Sequence, residues 1–239
     1  MSADRDPIPV YSFGPAWGMP VPTPSPFGLK LLAWMHLHDV PYRLHVANNP
    51  GKGPKGKCPW AVVDGQAMGD SELVIRALRR RRGIADDELT PQQRALATAV
   101  RLMLEEHYHQ VWEHQLFIHE GSWERAQEFF DQLPPGVRVL VRTIMRRQLR
   151  QQLVARGVGR HSQEQIVEMG VDVLEAVDAL LDPGPFVFGD EPTDIDACVF
   201  AFMAVTKWTP GQTALWDRFA ALPRLGEYCE RMRARCFPS

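Results

Sequence analysis

Near residue 83 the pattern of the chain changes character, and that change narrows the folds open to it more than any other feature. Before it, four short β-type runs (Ile8 to Phe13, Tyr42 to Val46, Trp60 to Val63 and Gln66 to Met68) alternate with two helical runs, Pro26 to His38 and Ser71 to Arg82. Asp64-Gly65, between the last two strands, suits a type I′ hairpin turn, whose two central residues need positive φ. The order is βαβ, then a ββ hairpin, then α. It predicts a parallel strand pair joined by a helix, with an antiparallel edge added afterwards, over residues 1–82. Residues 83–90 form a polar linker, and residues 91–239 read as helix throughout.

The helical half is punctuated clearly. Thr90 to Gln93 is a capping box with Pro91 at the first helical position, where its missing N–H costs nothing, and the helix it opens runs to about Ile118. Ser122 is expected to open a short helix that ends before the breaker Leu133-Pro134-Pro135-Gly136, and a further helix runs to about Ala155. Ser162 to Gln165 is a second capping box, followed by a buried stripe of Ile166, Met169, Val173, Val177 and Leu180. Thr193 to Asp196 caps a helix so apolar all round that it belongs at the centre of its domain.

Composition narrows the function classes. With 27 Lys+Arg against 29 Asp+Glu the formal charge is -2, so no global field recruits nucleic acid or an anionic membrane. Two arginine clusters, Arg79 to Arg82 and Arg142, Arg146, Arg147 and Arg150, read first as solvated helix faces and second as local anion patches. The opening MSADRDPIPV lacks the basic start and apolar run of a signal peptide. The longest apolar run, Ala197 to Val205, falls well short of the roughly 20 residues of a membrane span. Cysteines 58, 198, 229 and 236 form no CxxC pair, which points to free thiols in a reducing compartment, the cytoplasm. Metal binding is not expected. The histidines at 107, 109 and 114 diverge on one helix, and Glu106-x-x-His109 has no second copy.

Four motifs then occur in order: Ser25-Pro26-Phe27 at the head of the first helix, Gly56-Lys57-Cys58-Pro59 before the third strand, Asp70-Ser71 opening the second helix, and Gly189 with Thr193-Asp194-Ile195-Asp196. Through them the chain resembles the glutathione S-transferase superfamily over nearly its whole length. The runs at 25–30 and 54–60 and the end Tyr228 to Arg235 look like bacterial relatives of its metaxin and failed-axon-connections branch. The fold implied is an α+β thioredoxin-like N-terminal domain (βαβ-ββα) followed by an all-α C-terminal domain.

The resemblance implies glutathione as co-substrate, with no metal. Asp70 would take the γ-glutamyl ammonium, and Ser71 its carboxylate; without the other motifs Asp70 reads first as a plain N-cap. Pro59 would be cis, so that the Cys58 backbone pairs with the cysteinyl unit, and Lys57, with Lys52 and Lys55, could meet the glycyl carboxylate. Helix N-termini favour anions and thiolates through unpaired N–H groups and the helix dipole. Ser25, as N-cap before Pro26, is therefore the residue expected to activate the thiol, with Thr23 as second candidate and Tyr11 more suited to packing on the sheet. The partner would be a small electrophile in a pocket near Trp17, Tyr108 and Trp112, and the assembly a homodimer. The alternative is a catalytically idle binding scaffold of the metaxin type. A dithiol oxidoreductase is disfavoured, because Ser25 and Gly28 occupy the two positions where it needs sulfur.

Overall fold

The computed structural model describes residues 6–131 and 133–238; the start of the segment read for a signal peptide, residues 1–5, lies outside that range. The first half comprises β1 (Ile8–Ser12), α1 (Pro26–Leu37), β2 (Tyr42–Val46), β3 (Trp60–Val63), β4 (Gln66–Gly69) and α2 (Ser71–Arg82). They form one sheet in the order β2-β1-β3-β4, with β1 parallel to β2 and antiparallel to β3, and β3 antiparallel to β4. Asp64 and Gly65 both have positive φ (52° and 74°), as the hairpin reading requires. β1 stops at Ser12, one residue before the expected end. Phe13 leaves the sheet to meet Phe129 edge-on at 5.5 Å.

The second half is helical. α3 (Pro91–Leu102) and α4 (His109–Glu113) belong to one rod that continues to Ile118, through wider i→i+5 turns at Met103–Tyr108 and His114–Ile118. Then follow α5 (Glu120–Ala126), α6 (Pro135–Arg156), α7 (Gln163–Leu180), α8 (Asp194–Trp208), α9 (Ala214–Ala220) and α10 (Pro223–Cys236). Among the described residues, the sheet-like pairing beyond α3 is limited to a single bridge, Phe186 to Gly189. One cap differs from the sequence reading. His119, not Ser122, caps α5 by accepting from Gly121 N–H, while Ser122 is buried and accepts from Gln212 N–H at 2.9 Å.

α8 is the hub, as its apolar sequence predicts: Ile195 to Thr206 are all buried. α1 packs along it, and the main hydrophobic core runs from Val10 and Leu31 through Phe200 to Tyr228. Two acids at the head of α8 divide the task of holding it. Asp196 is fully buried and accepts from Val187 N–H (3.0 Å), Thr193 N–H (2.9 Å), Thr193 Oγ1 (3.1 Å) and Tyr228 Oη (3.0 Å), all within the helical half. Asp194 faces the other way. It accepts from Trp34 Nε1 (2.8 Å), bonds His38 Nε2 (2.7 Å) and pairs with Arg79, all three from the α/β half. Burial would raise the Asp194 carboxyl, but His38, Arg79 and Trp34 together hold it below the usual carboxylate range.

Asp196→Ala should therefore cost about 2–4 kcal/mol in urea unfolding, because Val187 N–H and both Thr193 donors lose their acceptor at once, while Tyr228 Oη keeps the Asp196 carbonyl at 3.1 Å. Asp194→Asn, at a partly exposed junction, should cost only about 1 kcal/mol. A depressed carboxyl contributes stability above its unfolded pKa of about 3.9 and loses it as pH falls through the folded value. The gap between wild type and Asp194→Asn should accordingly close below about pH 4, and a gap independent of pH would show that the charge does not matter.

Candidate functional site

The sheet register decides where the sequence-predicted residues meet. Tyr11 on β1 lies opposite Trp60 on β3, and Trp60 lies opposite Gly69 on β4. The residues adjoining these pairs, Ser12 at the end of β1, Pro59 just before β3 and Asp70 just after β4, are therefore at the same end of the sheet. Tyr11 itself is stacked between His45 (4.8 Å) and Trp60 (5.0 Å) on the sheet, which is the packing role expected of it.

From Ser12 a chain of hydroxyls leads to the head of α1. Ser12 Oγ bonds Thr23 Oγ1 (3.0 Å), Thr23 Oγ1 accepts from Ser25 N–H (3.3 Å), and Ser25 Oγ accepts from Gly28 N–H (3.1 Å). Ser25 is thus the N-cap its spacing predicts, and its own proton is not used in that cap. Thr23 is wholly enclosed, whereas Ser25 keeps 7% exposure. Gly28 makes this approach possible: a Cβ there would lie 2.3 Å from Ser12 Oγ.

Beyond Asp70 α2 begins. Asp70 has φ +83°, a conformation that costs a residue with a side chain about 1–3 kcal/mol. Its Oδ1 accepts from Glu72 N–H (3.0 Å) and Leu73 N–H (3.3 Å), so it caps the helix, while Oδ2 stays 3.9 Å from Lys55 Nζ and the side chain is 46% exposed. Ser71 is buried behind it. The Cys58–Pro59 bond is cis. The Cys58 thiol turns to the Ala47 carbonyl (3.5 Å), and burial pushes its pKa up to about 11, so it is protonated and inert at neutral pH. Lys57 is exposed at the rim. Two helix N-termini, a cis-proline backbone and two lysines therefore gather at one end of the sheet.

An aromatic wall adjoins α1. Trp17 lies 6.4 Å from Phe117 and 5.5 Å from Phe129, Phe117 meets Trp112 at 6.0 Å, and Phe27 meets His109 edge-on at 4.9 Å. The indole N–H groups of Trp17 and Trp112 are both buried without an acceptor. Two of the three residues expected to line a second pocket are thus on this wall. Tyr108 is not: it is fully buried in the core, with Oη bonded to Thr206 Oγ1 at 2.8 Å. His109 is the addition that sequence reading missed. Its Nε2 lies 3.7 Å from Glu113, and burial, aided by Arg156 and Lys57 against the pull of Glu113, lowers its pKa, so the ring is neutral near pH 7. The i, i+4 spacing of His109 and Glu113 was the available signal. Phe129 had none, since it arrives from a separate turn of helix.

A cleft of about 330 Å³ at the junction of the two halves does not include Ser12, Pro59 or Asp70. Most of its charges are already paired: buried Lys30 bonds Glu72 and Glu105 (2.7 Å each), Arg101 bonds Glu105 (2.8 Å), and Arg79 pairs with Asp86 (3.0 Å). Burial alone would lower the Lys30 pKa, but Cys198, Glu105 and Glu72 together carry it above its ordinary value. Among the described residues, no group of three or more His, Cys, Asp or Glu is gathered as a metal would need.

Comparison with known proteins settles the family. The model of the glutathione S-transferase N-terminal domain matches residues 26–122, and that of the glutathione S-transferase C-terminal domain matches residues 170–232, together more than half of the chain. The chain belongs to the glutathione S-transferase superfamily. This superfamily member is 28% identical to "Failed axon connections" of Drosophila melanogaster over 91% of its own length, but spans only 56% of that protein. It is 29% identical to the isoprene-epoxide–glutathione S-transferase of Rhodococcus sp. (strain AD45), over 95% of this chain and 98% of the other. Metaxin-1 of Bos taurus is 25% identical over 97% of this chain and 76% of that protein. Among solved structures, a glutathione transferase from Phanerochaete chrysosporium superposes with a TM-score of 0.65 at 15% identity, over 96% and 97% of the two chains.

The close approach at Gly28 gives a direct check on the geometry. Gly28→Ala should destabilise the protein by about 1–3 kcal/mol, because the new methyl meets a buried hydroxyl pair with no room to give. Gly136→Ala, with nothing within 4 Å, should be neutral or slightly stabilising. Equal melting temperatures for the two variants would mean that the first turn of α1 is looser than described.

Proposed function

We propose that this protein binds glutathione at the end of the sheet where Ser25, Cys58-Pro59 and Asp70-Ser71 converge, and activates its thiol for attack on a small electrophile. The observation that carries this reading is the register, which brings Ser12, Pro59 and Asp70 to one end of the sheet, next to the N-termini of α1 and α2. Asp70 Oδ2 would receive the γ-glutamyl ammonium, Ser71 and the first turn of α2 the adjoining carboxylate, and Lys57 with Lys55 the glycyl end. The Cys58 backbone beside Pro59 would pair with the cysteinyl unit. The thiol would lie at the head of α1, where Ser25 donates its free proton and the positive end of the helix favours the anion. Together these could lower a thiol pKa of about 8.5 by one unit or more. The thiol proton leaves to solvent, and the sulfur forms the new bond as the electrophile loses its leaving group or opens its ring. The name of the Rhodococcus relative supports an epoxide as one electrophile to try. Thr23 keeps a positioning role in this scheme, orienting the Ser25 backbone from within. A homodimer in the cytoplasm completes the proposal.

A second reading, a scaffold without turnover, has one observation in its favour. Asp70 already spends Oδ1 on its own helix, and Ser25 does the same with an acceptor lone pair, so both have a structural reason to be present. The resemblance to metaxin-1 points the same way.

Calorimetric titration with glutathione separates the two, because no heat at millimolar concentration would leave the scaffold reading. Asp70→Ala with Ser71→Ala should weaken binding by about 2–4 kcal/mol while stability falls less. Ser25→Ala should cut turnover of an aryl halide or an epoxide by roughly 10² while costing under about 1.5 kcal/mol of binding. Unchanged turnover in Ser25→Ala, measured beside Thr23→Ala, would remove Ser25 from the chemistry.

A further inference from the structure

Helix α6 is unlike the rest of the molecule. Its buried residues, Leu149 and Leu153, join Ile118 with Phe117 and Met145 in a small cluster separate from the main core. Its packing runs chiefly against the neighbouring segments 114–118, 127–130 and 158–160. The opposite face is apolar and bare: Val137 is 49% exposed, Leu140 61% and Ile144 45%, and Val141 lies between them on the same side. At 100° per residue these four fall within one third of the helical circumference, away from Leu149 and Leu153.

Charge accompanies the apolar strip. α6 carries six arginines and no acidic residue in 22 positions. Arg138 pairs with Asp131 and Arg146 with Glu120, the latter lying 4.7 Å over Trp123. Arg147 and Arg150 are exposed and unpaired among the described residues. With Arg142, Arg146, Trp123 and Gln127 they line a cleft of about 550 Å³ alongside the strip.

We propose that this face of α6 docks on an anionic lipid surface, with the Arg-lined cleft taking a phosphate headgroup and Leu140 and Ile144 entering the headgroup boundary. An exposed strip of valine, leucine and isoleucine flanked by guanidinium groups is the pattern of a helix lying in the interfacial plane, and no helix of the described residues is long and apolar enough to span instead. Charge decides against the competing occupants. A second copy would bring two arginine-rich helices face to face, and nucleic acid would leave the apolar strip uncovered.

The test is co-sedimentation of the full chain with vesicles, either phosphatidylcholine alone or with about 30 mol% phosphatidylserine. Binding is expected to the anionic vesicles only, and to weaken several-fold as salt rises from about 0.1 to 0.5 M. Arg147→Glu with Arg150→Glu should reduce it at least about tenfold, and Leu140→Ser with Ile144→Ser should reduce it comparably, all without change in melting temperature, since these side chains project into solvent. No binding to anionic vesicles, or undiminished binding by either double variant, would overturn the proposal. So would loss of self-association in lipid-free sedimentation of the variants, which would assign the face to a second copy.

Discussion

Thr193 to Asp196, four residues at the head of α8, hold the molecule together in two directions. Asp196 gathers the turn before the helix and the phenol of Tyr228, and so fixes the helical half around its central rod. Asp194, two residues earlier and facing outward, takes an indole, an imidazole and a guanidinium from the other half. Apolar packing of α1 on α8 supplies most of the driving force, but it has no direction of its own. The two carboxylates supply the direction, and the aromatic wall can face α1 only because the halves meet at one fixed angle.

The site follows from sheet register and from one absent side chain. Register brings the ends of β1, β3 and β4 level, so residues far apart in sequence share an edge. Gly28 then lets the first turn of α1 press onto the Ser12–Thr23 hydroxyl pair, and this sets where Ser25 points. The four prolines at 20, 22, 24 and 26 serve the same end, since a stiff segment without those backbone donors delivers Thr23 and Ser25 without competing for the sheet.

What the sequence disclosed and what it hid divide on physical lines. The sequence of elements along the chain, both capping boxes, the Asp64-Gly65 turn and the central placement of α8 were legible because each depends on local chemistry or on a period within one element. The cap of α5 was misjudged because Ser122 offers the right hydroxyl, yet a backbone amide ninety residues on, at Gln212, claims it. Tyr108 was placed beside a pocket and lies in the core, because the wide turns of that rod shift the faces that later residues present. Of the aromatic wall the sequence disclosed Trp17 and Trp112 but not Phe117, Phe129 or the contact of Phe13 with it, since these come from a long helix, a short turn and a strand end with no shared period. For Asp70 and Ser25 the sequence offered capping and ligand roles together, and the structure shows the capping role in place.

α1 links these themes. It is a 12-residue rod of about 18 Å, with Ser25 at one end and, through Trp34 and His38, the Asp194 clasp at the other. A helix anchored at both ends and buried along its length has little freedom left to lose. Whatever occupies the edge beside Ser25 therefore meets donors whose positions were fixed when the chain folded, and the entropy of arranging them is charged to folding rather than to association. The loops that face that edge, the proline segment before α1 and the lysine-bearing turn before Pro59, lie outside the rod, so their residues can change while the rod stays as it is.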